Sequence, residues 1–133
     1  MEQLEAFAQW AQALELNWGG RNQKAELLRW IKERDNAAFN WAWNRAFRDV
    51  RTCEKKNPLT IEERTWLESF RITTEVIVEI ALFASADEQQ GLLFCVNADF
   101  QLLARAARVG FSDPWLDKLR AEYEAGRFPH RTL

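Results

Sequence analysis

Residues 72–82, ITTEVIVEIAL, decide the fold of this chain because they satisfy two periodicities at once. Read at alternate positions, Ile72, Thr74, Val76, Val78, Ile80 and Leu82 are nearly all apolar and rich in β-branched side chains, which suits a strand. Residues 92–96 would then be the hairpin partner, with Asn97 capping a shorter helix behind them. Read with the residues upstream, the same stretch continues a helix. Arg64, Glu68, Arg71, Glu75 and Glu79 make its polar stripe, opposite Trp66, Phe70, Ile77, Ala81 and Ala84. The Arg64–Glu68 and Arg71–Glu75 pairs have the spacing of helical ion pairs.

Two arguments favour the helix. Thr60-Ile61-Glu62-Glu63 and Ser85-Ala86-Asp87-Glu88 both have the form of a capping box, in which hydroxyl and carboxylate satisfy orphan amides reciprocally. A lone two-stranded hairpin is also marginal in an otherwise helical domain. The expectation is an all-α chain, a compact bundle of five or six helices. The alternative, mainly α with one β-hairpin near 72–97, stays open.

Outward from this stretch the helical grammar repeats. Residues 2–18 place Leu4, Phe7, Ala11, Leu14 and Trp18 on one face, with Gly19-Gly20 closing the segment. Residues 22–56 carry a stripe from Leu28 through Phe39, Trp43 and Phe47 to Val50, interrupted at Asp35-Asn36. That interruption means either a paired acid inside one long helix or a second helix with Asp35 or Asn36 as its N-cap. Residues 86–109 form a further helix despite Gly91. Asp113-Pro114 then opens a last one, a capping acid followed by proline in the first turn. The predicted organisation is a single helical domain over residues 1–126 and a C-terminal tail over 127–133.

Composition narrows the chemistry. The chain has 133 residues, 47% hydrophobic and 29% charged, enough for one domain with its own core and too ordered in composition for a disordered chain. Its one histidine, His130, falls in the tail, so a Ser–His or Cys–His nucleophile has little to be built from. No zinc-ligand spacing, Glu-x-x-His motif, phosphate loop or dinucleotide fingerprint occurs. Glu75 with Glu79, or Glu62 and Glu63 with Glu68, could hold Mg²⁺. Their alternation with Arg64 and Arg71 reads more simply as a solvated face. No catalytic residue, metal or cofactor is therefore expected. Glu2 and Glu5 interrupt the opening residues and no long apolar run follows, so the expectation is a cytoplasmic location with reduced Cys53 and Cys95, and no membrane association.

Charge is uneven behind a net −2: residues 1–20 sum to −3, residues 21–56 to +5 and residues 57–133 to −4. The basic segment is either an anion-binding face or a helix neutralised by its neighbours, and neutralisation is the favoured reading. Asp99, beside an apolar stripe, needs a buried partner, and an arginine from another helix is expected.

Seven tryptophans are present. Most are expected in the core, given how much area each buries. Trp41 differs, because the helical wheel sets it beside Arg45 and apart from Phe39, Trp43 and Val50. With Asn44 and Arg48 it has the composition of an interface hot spot. Trp30 beside Arg34 is a weaker case. The function reached by exclusion is binding of another protein, most simply by a small inhibitor of the immunity-protein or antitoxin kind that neutralises a partner enzyme. Two alternatives stand beside it: an adaptor or subunit of a larger helical assembly, and a nucleic-acid-binding domain using Arg45, Arg48, Arg51, Lys55 and Lys56.

Overall fold

The computed structural model describes residues 1–20, 23–131 and 133, and among them there is no strand. Six α-helices follow one another: α1 (Glu2–Gln12), α2 (Gln23–Arg34), α3 (Ala37–Lys56), α4 (Ile61–Leu82), α5 (Gln90–Val109) and α6 (Pro114–Glu124), with a 3-10 turn (Ala86–Gln89) leading into α5. The expected helix start at Asn22 lies outside the described residues. No helix among them is long and apolar enough to cross a membrane. Helix α5 is the axis of the bundle, packed against α1, α2, α3 and α4. Its Leu92, Val96, Phe100 and Ala104 are fully shielded from solvent.

The ambiguous stretch is helical, and its alternation has a physical origin. Thr74, Val78 and Leu82 face the core, whereas Ile72, Val76 and Ile80 face solvent. Each set repeats every four residues, so two opposite helical stripes interleave and imitate a strand. The hairpin alternative is overturned. The capping box at Thr60 is complete, with Glu63 N–H to Thr60 Oγ1 at 3.1 Å and Thr60 N–H to Glu63 Oε1 at 2.9 Å. At Ser85 only half of the expected pattern forms: the hydroxyl accepts from Asp87 N–H, and the chain enters a 3-10 turn.

The interruption at Asp35-Asn36 is a true break. Asn36 is extended and its side chain accepts the Phe39 N–H at 2.9 Å, starting α3. Asp113 caps α6 in the same way, through Leu116 N–H.

The first helix is shorter than its stripe. It stops at Gln12, and residues 14–18 run on as irregular chain. Tertiary contacts override the periodicity here. Trp18 is buried edge-on against Phe128, its indole N–H meets Gly126 C=O at 2.9 Å, and its backbone N–H meets Ala81 C=O at 2.8 Å. Gly19 is therefore required for close approach and not as the helix terminator expected: a Cβ there would sit 2.4 Å from the Leu82 carbonyl oxygen.

The predicted tail is likewise part of the domain. Phe128 and Pro129 are buried, and His130 stacks on Trp30 with 5.1 Å between ring centroids. The domain boundary at residue 126 does not hold, because Phe128 supplies apolar area that the core uses.

Gly91 lies inside α5, and a Cβ there would meet Ile31 at 3.5 Å, an ordinary contact. Gly91→Ala should thus gain about 1 kcal/mol of helix propensity and raise the melting temperature by a few degrees. A lower melting temperature would show that Ile31 cannot accommodate the methyl group.

Candidate functional site

Helix α3 carries the surface that the sequence singled out. Trp41 is 60% exposed, and the Arg45 guanidinium lies 5.3 Å from its ring centre, one turn on. Asn44 and Arg48 are exposed on the same helix. Among the described residues no ion pair involves Arg45, Arg48, Arg51, Lys55 or Lys56. The favoured expectation that neighbours neutralise the basic 21–56 segment is therefore corrected for α3, although Arg34 on α2 is paired with Asp99 on α5. The one interhelical pair of α3 runs the other way, from Glu54 to Arg105 on α5. Glu54 is taken up by packing, and the bases are left facing solvent.

Beside this surface lies a cavity of about 350 Å³. It is walled by Ile31 and Arg34 of α2, Phe39 and Trp43 of α3, and Phe94 and Cys95 of α5. Asn40 and Asn44 stand at it too, which joins it to Trp41's side of α3. Burial raises the Cys95 thiol above its ordinary range, an effect that nearby Asp99 reinforces and Arg34 opposes, so the thiol is held protonated and unreactive.

A buried cluster fixes these walls. Asp99 is fully buried and accepts from both terminal nitrogens of Arg34, at 2.7 and 2.5 Å. It also accepts from Trp43 Nε1 at 3.1 Å and from the Tyr123 hydroxyl at 2.6 Å. Arg34 further donates to Pro129 C=O at 3.3 Å, and its guanidinium sits 4.6 Å from the Phe39 ring centre. Burial alone disfavours the Arg34 cation, but the Asp99 charge and hydrogen bonds more than offset it and raise its pKa. Tyr123 is pushed well above its ordinary 10, first by burial and then by the Asp99 charge, so it stays a donor. One carboxylate thus ties α2, α3 and α6 to α5, and its partner Arg34 adds the C-terminal segment.

Two of the expected partner-binding residues consequently lie elsewhere. Arg34 is only 7% exposed: the last turn of α2 aims it at Asp99, and it is the interhelical arginine expected for that carboxylate. Trp30 is half-buried under His130, whose Nδ1 lies 2.8 Å from Glu33. Both are taken up by internal contacts.

Of the acids that could hold Mg²⁺, Glu63 is committed to internal contacts, while Glu68 and Glu75 share one groove. Glu63 is bound by Arg108, at 2.7 and 2.9 Å, while it closes the Thr60 capping box. The Arg108 hydrogen bond first, and the Thr60 N–H second, lower the Glu63 carboxyl from its ordinary 4.5 to about 2. A depressed carboxyl contributes stability that is complete above the unfolded value and is lost on descent towards the folded one. The urea midpoint should therefore fall between pH 4.5 and about 2, and fall less in Glu63→Gln. Equal pH slopes would remove Glu63 as the cause. Among the described residues no group of three or more His, Cys, Asp or Glu is placed to hold a metal ion.

Sequence reasoning missed a second surface. On α4, Ile72 is 68% and Ile80 65% exposed, Phe83 just past its end is 73% exposed, and Phe94 on α5 is 76% exposed. Exposed apolar side chains in a row mark contact surfaces. The signal was present in the i, i+4 spacing of Ile72, Val76 and Ile80, hidden by the strand-like alternation.

A protein-family model described as Immunity protein PIM1 matches residues 20–130. No curated protein and no solved structure gives a significant match.

Proposed function

The chain belongs to the immunity protein PIM1 family, and on that premise we propose that it neutralises a toxic partner enzyme by binding it directly, without catalysing a reaction itself. The family match carries this reading. The exposed Trp41 stacked under Arg45 supports a contact surface on α3, with Asn44 and Arg48 as polar surroundings to an aromatic anchor. The proposed location is the cytoplasm, a reducing compartment that suits the free Cys53 and Cys95.

The test uses the enzyme encoded by the neighbouring gene, since inhibitors are often encoded beside their targets. Wild-type protein should bind that enzyme and abolish its activity. Trp41→Ala should leave the melting temperature within a few degrees yet weaken binding by about tenfold or more. A large fall in melting temperature would place Trp41 in the packing instead. No binding by the wild-type chain would overturn the proposal.

The unpaired bases of α3 support nucleic-acid binding as a second reading. Arg51 and Lys55 also line a groove of about 490 Å³ with Arg64, where Glu54 pairs with Arg105 and Glu68 leaves the lining net basic by two charges. Phosphate contacts release counterions, so affinity for a duplex oligonucleotide would drop steeply as salt rises. A flat response counts against this reading.

A further inference from the structure

Between α4 and α5 runs a groove of about 360 Å³. Glu68, Ile72 and Glu75 stand on its α4 side, and Leu93, Phe94 and Asn97 on its α5 side. Ile72 and Phe94 are among the most exposed apolar side chains in the chain, and a bundle that acts alone gains nothing by presenting them. Phe94 also lines the cavity beside Trp41's helix. A partner seated against α3 thus reaches this groove by crossing one side chain.

Three features define what the groove accepts. Neither Glu68 nor Glu75 is engaged in an ion pair among the described residues, and the expected Arg64–Glu68 and Arg71–Glu75 pairs do not form. The Asn97 side-chain oxygen is buried and has no hydrogen-bond partner among the described residues, an unmet acceptor on a residue that lines the groove and that an entering donor would satisfy once side chains there shift. Phe94 offers an exposed aromatic face to a cation. Arg71 also lines the groove, and two carboxylates with an amide oxygen outweigh its charge.

This is the complement of an arginine side chain: a planar cation with five donors on a stem of methylenes that Ile72 and Leu93 can cover. We infer that the α4–α5 groove receives an arginine presented by the toxin, an inference that rests on the immunity function proposed above. A second copy of this chain is a poor occupant. Its α4 face carries the same net acidic groove, so self-pairing supplies no excess of cations to match Glu68 and Glu75.

The probe is a capped tri-arginine peptide titrated into the isotopically labelled full chain and followed by NMR. Resonances of Ile72, Phe94 and the Asn97 side-chain amide should shift together, and the doubly substituted Glu68→Gln, Glu75→Gln protein should bind about tenfold more weakly. Both acids lie at the surface, so this variant should keep its circular dichroism spectrum and melting temperature. Shifts confined to other acidic residues would overturn the assignment. So would equal affinity for tri-lysine, or a dimer in sedimentation that Ile72→Glu dissolves. The two proposals fail separately. Inhibition of the toxin without arginine binding sinks the groove and spares the immunity function, whereas arginine binding by a chain that does not inhibit the toxin overturns the immunity function and the toxin as the arginine's source, while keeping the groove's preference for arginine.

Discussion

Asp99→Leu is expected to cost the fold about 3–5 kcal/mol, the range for breaking a buried ion pair from one side. The substitution leaves the Arg34 cation without its partner in an environment where it is only 7% exposed, and strips the acceptor from the Trp43 and Tyr123 donors. For a domain of this size that corresponds to a fall of roughly 10–20 °C in melting temperature. The informative control is the double variant Arg34→Met, Asp99→Leu. With no charge left to strand, it should recover most of the loss, because a buried pair often contributes little net stability over apolar replacements. Chemical denaturation of both single variants and the double variant measures the coupling. A single Asp99→Leu variant within 1 kcal/mol of wild type, about the size of an ordinary hydrogen bond, would show that the carboxylate does not join these helices.

Arg108→Met should cost a similar amount, about 3–5 kcal/mol, in the last turn of α5. The Arg108 side chain is 4% exposed and holds Glu63 through two hydrogen bonds. It also donates to the Asn57 and Pro58 carbonyls at 2.6 and 2.7 Å, tying the loop between α3 and α4 to the end of α5. These carbonyls lie where α3 has run out of intrahelical partners, so the arginine completes a helix end as well as an ion pair. Arg108→Lys keeps the charge without the fork and should recover less than half of the loss. A lysine variant as stable as wild type in urea would mean that charge, and not the spread of donors, is what this position requires.

These two arginines also bear on what a helical surface can present to a toxin. Asp99 and Glu63 immobilise α3 and α4 against α5, so Trp41 and Ile72 project from held helices and bind without first ordering them. Loss of toxin binding in Asp99→Leu should accordingly accompany its loss of stability, whereas in Trp41→Ala the two effects should come apart.

Local chemistry was legible because it acts over three or four residues. Thr60 with Glu63, Asn36 before Phe39 and Asp113 before Pro114 each satisfy helix-end amides from within their own stretch, so spacing located the ends at Thr60 and Asp113 and left the break at Asp35-Asn36 as one of two readings. Exclusion of familiar catalytic motifs was equally readable, since it rests on which residue types are present. The fully buried acid was identified too, because Asp99 stands beside an apolar stripe, whereas the burial of Glu63 was not foreseen.

Tertiary structure alone decided the rest. Whether Arg34 faces a partner or Asp99, and whether Phe128 trails or fills the core, depends on residues 65 and more positions away in the chain. Residues 14–18 left the helix because burying Trp18 outweighed a propensity worth less than about 1 kcal/mol per residue. The face of α4 that stays uncovered was set by where α5 lies, and α5 covers one of two equally apolar stripes. A sequence states that both stripes exist. Only packing, which is a competition among distant surfaces for a limited interior, leaves one of them for another molecule.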